Sequence, residues 1–327
     1  MSPRFEELVV FGVISILVAL FAWIYSRDRQ KSLALWMLGW VAILVHFTAP
    51  AVDDFFPRLM PYTDRIKVLT LIVAGTCFLL SVSEVFTRGK ARVAFIMLIG
   101  VASALYAACL LSNFHSTVLY PALLLLSCAY GATQAIRFYS WKTAHLYLLC
   151  GLLPYGLWAA WQAFHGSPAH GLVFYLFGLF YVTGLVYLRH FHRSSPGVIF
   201  TSASFISWGC VFPLATFLSF HGVGPSPGSF FWDVPKFFVA FGMILTLFEN
   251  QADVAASKAR QYEMLFENNL AAVYVSTPEG KLLNCNSAFL KMYGFGSREE
   301  ALAQPAIFLY SHPSERKQFL DDLGQQG

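Results

Sequence analysis

The sequence predicts a mainly α-helical protein, in which a polytopic transmembrane bundle of about nine spans precedes a signalling helix and a small α+β region. Two observations support this fold class. Hydrophobic residues make up 57% of the 327 positions and charged residues only 12%, whereas a soluble chain is roughly 25% charged. The charges also become dense only after position 249. The chain therefore divides into a long apolar region and a shorter polar one.

Nine apolar runs approach the roughly 20 residues that a transmembrane helix needs. The short connections between them alternate between rich and poor in Lys and Arg, and the positive-inside rule assigns the rich ones to the cytoplasm. We therefore expect the N-terminus outside the cell and the C-terminal region in the cytoplasm. The runs cover residues 8–25, 33–50, 66–86, 92–112, 117–136, 144–164, 170–188, 197–220 and 233–248.

Four of the predicted spans end on a neighbouring Phe and His near the outer surface, which indicates a weak repeat of helical hairpins. Imidazoles from facing helices could bind a metal ion or a haem. The preferred interpretation is that these amphipathic side chains mark the lipid–water boundary and cap helix ends. We therefore predict no metal site. The four candidate ligands are His46, His115, His165 and His221.

Few other residues of the apolar region indicate chemistry. Glu84 near the inner end of the third run is a candidate functional residue, although pairing with Arg88 at the interface is the simpler interpretation. Pro154 and Pro213 are expected to kink their helices. The six cysteines show no CxxC spacing, so they predict apolar packing rather than disulfides or zinc.

No Pro or Gly interrupts the chain between Met243 and Asn269. This stretch predicts one helix that leaves the bilayer and continues into water. Six residues on it recur at steps of four and three, which is the seam spacing of a two-helix coiled coil, so we expect a homodimer and a signal relay along this helix. The alternative is an amphipathic helix that lies on its own domain. The seam residues are Phe248, Ala252, Ala255, Ala259, Tyr262 and Phe266.

Beyond two successive Asn residues, the polar region reads as a β-hairpin followed by short helices. Strands are predicted at 271–276 and 281–285 around the turn Thr277–Gly280. Asn286 is predicted to cap a helix that Gly294 ends. Ser297 and Glu300 form a capping box for a further helix, and a last helix is expected at 313–323.

Several motifs of this region resemble the first half of a PAS sensor domain, in the order and spacing of that family. The resemblance implies an antiparallel sheet with flanking helices that senses or relays signals. It also implies that the closing part of the sheet is missing. We thus expect a transmembrane sensor bundle at 1–248, a signalling linker at 249–265 and a partial PAS domain at 266–327. The motifs are Phe266–Tyr274, Glu279-Gly280, Leu283–Phe289, Tyr293–Phe295 and Ser297–Glu300.

The pair Asn284-Cys285 is similar to the photoreactive pair of flavin-binding PAS domains. Here it ends a strand, whereas in that subclass it opens a helix, so no flavin is expected. The only His after position 249 is His312, in a Pro-flanked loop, which argues against haem. We therefore predict no cofactor.

The order of bundle, helix and PAS region is similar to the N-terminal part of bacterial sensor histidine kinases and of membrane-bound GGDEF diguanylate cyclases. The chain holds no phospho-accepting His box, no ATP-lid glycines, no GGDEF motif and no phosphate loop, so no catalysis is expected from it. A net charge of +4 without a Lys/Arg run is not typical of nucleic-acid binding, so no nucleic-acid partner is expected.

The leading prediction is the input module of a histidine kinase in a two-component system of the bacterial inner membrane. Its expected partners are membrane lipids, a second copy of the chain and a lipophilic small molecule. A diguanylate cyclase input is the first alternative. A transporter or channel with a regulatory remnant is the second.

Overall fold

A computed structural model describes residues 3–27, 29, 31–56, 58, 60–82, 89–138, 151–191, 195–225 and 230–326. These residues are mainly helical, with one two-stranded sheet near the C-terminus of the described part. They form two compact units, Met1–Leu247 and Phe248–Gly327.

The described part of the first unit is helical. Its helices are α1 (Pro3–Arg27), α2 (Lys31–Phe55), α3 (Met60–Val82), α4 (Gly89–Phe95), α5 (Ala102–Leu111), α6 (Leu119–Phe138), α7 (Leu153–Phe164), α8 (Ala169–His190), α9 (Pro196–Phe220) and the first part of α10 (Phe230–Glu267), with a π-helical segment at Ile96–Val101.

Among the described residues, six helical segments are long and apolar enough to cross a membrane. Two shorter apolar helices lie at Phe11–Arg27 and Leu119–Thr133. The predicted run 144–164 lies partly outside the described residues, so the number of nine spans stays a prediction. The six segments are Lys31–Ala49, Arg65–Val82, Arg92–Leu111, Ala169–His190, Pro196–Phe220 and Phe231–Glu267.

The boundary between the second and third predicted runs, 33–50 and 66–86, agrees with the apolar segments Lys31–Ala49 and Arg65–Val82. The helices themselves extend beyond these segments, because α2 continues to Phe55 and α3 already begins at Met60. One Pro costs a helix a single N–H donor and need not end it, and Pro50 stands inside α2. Pro61 follows the first residue of α3, where Pro favours helix initiation.

Interlocking rings fill the interior of the first unit. The rings of Phe180 and Trp208 stack with their centroids 4.0 Å apart, and Phe78 lies edge-on against Trp40 at 5.4 Å. A Cβ atom at Gly39 would lie only 2.6 Å from the Phe78 ring. The Gly beside the Trp residues of α2 therefore serves close helix packing.

A polar network crosses the helices around the π-helical segment. The Ser127 hydroxyl of α6 donates to the Leu98 carbonyl of that segment at 2.9 Å and bonds to the Tyr175 hydroxyl of α8 at 2.9 Å. A π-helical turn departs from the α-helical hydrogen-bond pattern. The Ser127 side chain of α6 thus supplies a polar partner where the helix widens.

The second unit contains a β-hairpin and short helices. Strands β1 (Tyr274–Ser276) and β2 (Leu282–Cys285) pair antiparallel, with Tyr274 opposite Cys285. Gly280 closes the turn with φ +103°, a conformation that favours Gly. The following helices are α11 (Ser287–Tyr293), α12 (Arg298–Leu302), a 3-10 helix (Ala306–Leu309) and α13 (Pro313–Gln326).

The predicted helix caps of the second unit are confirmed. The Asn286 side chain accepts from the Phe289 N–H at 2.9 Å, and Gly294 ends α11 with φ +75°. The Ser297 hydroxyl accepts from the Glu300 N–H at 3.2 Å. The return bond of the capping box differs, because the Glu300 carboxylate accepts from the Gly296 N–H instead.

Candidate functional site

Helix α10 is unbroken from Phe230 to Glu267, as the absence of Pro and Gly after Met243 predicts. It includes the predicted ninth run and the predicted linker. Every residue from 250 to 265 is exposed in this chain. That stretch of the helix therefore does not lie on its own domain, contrary to the alternative interpretation.

The six predicted seam residues divide into two groups. The side chains of Phe248 and Tyr262 are 62% and 64% exposed, and the three Ala residues of the seam are exposed as well. Phe266 is only 8% exposed and stacks on Tyr262 at a centroid distance of 6.1 Å. The first five seam residues are thus exposed to solvent. Only the last one, Phe266, packs against the rest of the second unit.

At the end of α10, the fully buried side chain of Asn286 makes hydrogen bonds with five backbone groups. Its Nδ2 atom donates towards three carbonyls, and its Oδ1 atom accepts from two N–H groups. An amide side chain offers two donor hydrogens and two acceptor lone pairs, so these bonds use its full capacity. The carbonyls are those of Phe266 (3.1 Å), Asn269 (3.3 Å) and Ala271 (2.9 Å), and the N–H groups are those of Val273 (3.0 Å) and Phe289 (2.9 Å).

The carboxylate of Glu267, the last residue of α10, makes a second set of contacts with the same helix end. Its Oε2 atom accepts from the Ser287 hydroxyl at 2.8 Å and from the Ser287 N–H at 3.2 Å. Its Oε1 atom forms an ion pair with the Arg298 guanidinium. The Ser287 hydroxyl and the Arg298 charge hold the pKa of Glu267 below its ordinary value.

We call Glu267, Asn286, Ser287 and Arg298 the joint. Through these residues the last turn of α10 contacts the start of α11 and the start of α12. A rotation or shift of the helix end would break several of these bonds together, because hydrogen bonds weaken steeply with distance and angle. The joint is therefore the place where a movement of α10 would change the second unit.

Arg316 fixes the last helix to the hairpin. The side chain is 7% exposed, and its Nη2 atom donates to the carbonyls of Thr277 and Pro278, each at 3.0 Å. These bonds satisfy two carbonyls of the tight turn. They also offset part of the free energy that burial of the charged guanidinium costs.

A buried ion pair lies near the start of α10. Lys236 is 4% exposed, and its Nζ atom is 2.6 Å from Asp233 Oδ1. The same Nζ atom lies 4.6 Å from the centre of the Phe47 ring on α2. Ionisable residues inside transmembrane segments are rare and mark functional positions by default. Sequence reasoning missed this pair, because one Lys in a long apolar run leaves the hydropathy of the run high.

The four candidate histidines each bond to backbone carbonyls or lie on the surface. His46 lies inside α2, and its Nδ1 atom is 3.0 Å from the Lys67 carbonyl, so the prediction that it ends a helix is wrong, because α2 continues past Pro50. His165 and His221 follow the last residues of α7 and α9 and bond to carbonyls one turn earlier. His115 is exposed beyond α5.

Within the described part of the chain, no group of three or more His, Cys, Asp or Glu side chains could hold a metal ion. Glu84 and Arg88 lie outside the described residues. Pro213 lies inside α9, while Pro154 stands in the first turn of α7. Cys285 ends β2 and is fully buried, and burial raises the pKa of its thiol.

Comparison with protein families finds a PAS domain at residues 260–324. The matched range includes the end of α10, the four residues of the joint and Arg316. Comparisons with curated proteins and with solved structures give no match. A PAS domain indicates a signal-sensing role, and the long apolar helices before it are compatible with a membrane region.

Proposed function

We propose that this chain is a membrane-embedded input module, which senses a lipophilic molecule or the state of the bilayer and passes the signal through α10 to the PAS domain. The observation that carries the proposal is the single unbroken helix α10. It starts beside the buried Asp233–Lys236 pair and ends in the joint. One element therefore takes part in both units.

The relay requires two arrangements of α10 whose balance the cue changes. In one arrangement the Asn286 side chain keeps its bonds to the helix end and to the hairpin. In the other arrangement the helix end has turned, and these bonds are lost or exchanged. Each hydrogen bond contributes about 1 kcal/mol, so a small shift of the helix changes the balance by several kcal/mol.

The exposed seam on α10 supports a homodimer. Small Ala side chains at alternating steps of three and four allow two helices to approach closely, and the exposed Phe248 and Tyr262 rings would be covered by the same contact. In a dimer, a rotation of α10 moves both PAS domains at once. We propose nine spans, an N-terminus outside a bacterial inner membrane and a cytoplasmic PAS domain as the setting of this dimer.

The proposed output is a histidine kinase of a two-component system, and a diguanylate cyclase is the alternative that shares the same input. A transporter is the third candidate, and the buried Asp233–Lys236 pair is the observation that favours it, because such residues also mark ion pathways. Flux through proteoliposomes that contain the chain separates a transporter from a sensor.

Hydrogen exchange on the complete chain in lipid nanodiscs tests the relay. The amide protons of Val273 and Phe289 both bond to Asn286 Oδ1, so they report on the joint. We expect their exchange rates to change at least about twofold, or roughly 0.4 kcal/mol, when short-chain phosphatidylcholine replaces the long-chain lipid. Gly280 N–H, which bonds within the turn to the Thr277 carbonyl, is the internal control. Equal rates for both reporter amides in the two bilayers contradict the relay.

A further inference from the structure

The seam on α10 has two borders, which carry opposite charges. The first border consists of the residues that directly precede the second, fourth and sixth seam residues, and its one charged side chain is positive. The second border consists of the residues that directly follow the first, third and fifth seam residues, and its charged side chains are negative. The members are Gln251, Lys258 and Leu265 on the first border and Glu249, Ala256 and Glu263 on the second.

Lys258 and Glu263 form no ion pair within the described part of their own chain. Both side chains are exposed on the unbroken helix. Residues three or four positions apart are neighbours on a helix surface, whereas these two are five positions apart, so they do not face each other. No acidic residue stands three or four positions from Lys258. Both charges are therefore available to another molecule.

The two borders complement each other in a parallel pair of identical helices. A two-fold axis along the helices brings the first border of each copy against the second border of the other, and charges at these positions form salt bridges between the helices. Lys258 of each copy then faces Glu263 of the other. An antiparallel pair would bring like borders together, so that the acidic borders of the two copies would repel each other. The charges of α10 therefore favour the parallel pair.

We propose that the α10 helices of two copies pair in parallel and in register from Phe248 to Tyr262, with two salt bridges between Lys258 of one copy and Glu263 of the other. The molecule that covers the seam is thus a second copy of this chain. The inference rests on the homodimer of the proposed function and adds its orientation, its register and the charges that fix them. Two copies anchored in one membrane with the same topology present their helices in parallel.

The paired stretch ends before the joint. Phe266 is 8% exposed and packs within its own unit, so it is not available to a second helix. The 15 residues from Phe248 to Tyr262 extend only about 21 Å. Such a short pair gains from the high effective concentration that anchoring in the same membrane gives, so it has to be tested in the complete chain.

Disulfide cross-linking of the complete chain in phosphatidylcholine liposomes tests the pairing. Ala259→Cys places a thiol in the seam, and Ser257→Cys places one on the opposite side of the helix, where the residue is exposed as well. A disulfide requires Cα atoms within about 7 Å, and a residue meets its own copy along the seam only in a parallel, in-register pair. We expect the Ala259→Cys variant to cross-link at least about tenfold faster than the Ser257→Cys variant, because only the seam position meets this distance. The wild type gives the background of the native cysteines. Equal rates at the two positions, or no cross-linking above this background at either, overturn the proposal.

Charge reversal in the Ala259→Cys background tests the salt bridges. Lys258→Glu and Glu263→Lys each bring like charges together on both sides of the seam, so each should lower the rate of cross-linking at least about threefold. The double reversal restores opposite charges and should recover most of the rate. Arg260→Glu reverses a charge that lies on neither border and should leave the rate unchanged. A double variant as slow as the single ones, or an equal loss in Arg260→Glu, contradicts the charge pairing.

The results distinguish the pairing from the relay. Fast cross-linking at position 259 but not at 257, without a bilayer-dependent change in the exchange of the Val273 and Phe289 amides, supports the pair and removes the relay. A bilayer-dependent change in that exchange, together with equal cross-linking at the two positions, leaves the relay and removes the pair.

Discussion

Aromatic rings fill the interior of the first unit, whereas polar side chains hold the second unit to the end of α10. The stacked rings of Phe180 and Trp208 pack α8 against α9, with one buried bond from the Ser202 hydroxyl to the Gly184 carbonyl beside them. Asn286 joins the end of α10 to a strand and a helix by hydrogen bonds. Apolar contact is non-directional, and hydrogen bonds depend strongly on angle. A small shift of a helix therefore costs little free energy where rings pack together and costs more at the joint.

The Asp233–Lys236 pair differs from the stacked rings because, like the bonds of the Ser127 hydroxyl, it is a directional contact within the apolar unit. It lies on the same helix as the joint, close to the opposite end of α10. Helix α10 is held at its end by the joint and near its start by the contact of Lys236 with the Phe47 ring. Between them it is held by the contact of Thr246 with Thr201 and by apolar packing. Substitutions at the two ends should then have larger effects than substitutions in the exposed stretch.

The largest effect is expected from Lys236→Met. The substitution leaves the Asp233 carboxylate, which is 14% exposed, without its partner. Breaking a buried ion pair in this way costs about 3–5 kcal/mol, and this largely buried pair should lie near the lower figure. The measurement is the stability of the first unit in detergent micelles, followed by Trp fluorescence during titration with sodium dodecyl sulfate.

The double variant Asp233→Asn with Lys236→Met is the control for that experiment. It removes both charges, so most of the lost stability should return. If the single variant is as stable as the wild type, water reaches the pair, and the first unit has no directional contact of consequence at the start of α10.

The next largest effect is expected from Asn286→Ala. The substitution leaves the carbonyls of Phe266 and Ala271 and the N–H groups of Val273 and Phe289 without this partner, in a buried position. Each unsatisfied buried group costs about 1–3 kcal/mol, so a total loss of about 3 kcal/mol or more is expected. Pulse proteolysis of the complete chain in urea, read on fragments from residues 260–324, measures it.

Asn284→Ala is the matched control, two positions earlier and inside β2. The Asn284 side chain accepts only from the N–H of its neighbour Cys285 in the described contacts, so its removal should cost less than 1 kcal/mol. Equal costs for the two variants would show that the bonds of Asn286 in the joint do not account for the loss.

The sequence predicted the local features of the second unit and missed its long-range contacts. The caps at Asn286 and Gly294 follow from signals within a single turn, so they were predictable. The bonds from Asn286 to Phe266 and Ala271 connect positions 20 and 15 residues apart. No periodicity in the sequence indicates such a contact, and the roles of Glu267 and Arg298 were missed for the same reason.

In the first unit, hydropathy predicted the helices but not their ends or their irregularities. Helix α2 continues to Phe55, beyond the predicted run, because Asp53 and Asp54 lower the hydropathy of this stretch without ending the helix. The π-helical turn at Ile96–Val101 has an ordinary apolar sequence, so only its three-dimensional partners explain it. The role of Lys236 was missed because one charged residue changes the mean hydropathy of a whole span only slightly.

The smallest effect is expected from Glu267→Gln, and it depends on pH. The pKa of Glu267 is held below its ordinary value, so the carboxylate stabilises the folded joint fully above the unfolded pKa of about 4.3. This contribution is lost as the pH falls below 4.3 towards the folded value. For a partly exposed pair it amounts to about 0.2–1 kcal/mol.

The wild type should therefore lose stability between about pH 5 and pH 3 by more than Glu267→Gln does, because the variant has no carboxylate to protonate. Glu263→Gln, on the exposed stretch of α10, is the matched control and should keep the slope of the wild type. Urea unfolding of residues 260–324 in the complete chain, measured by pulse proteolysis at each pH, gives the three slopes. Parallel slopes for the wild type and Glu267→Gln would show that the ion pair with Arg298 and the bonds to Ser287 contribute nothing in solution, and the joint would then rest on Asn286 alone.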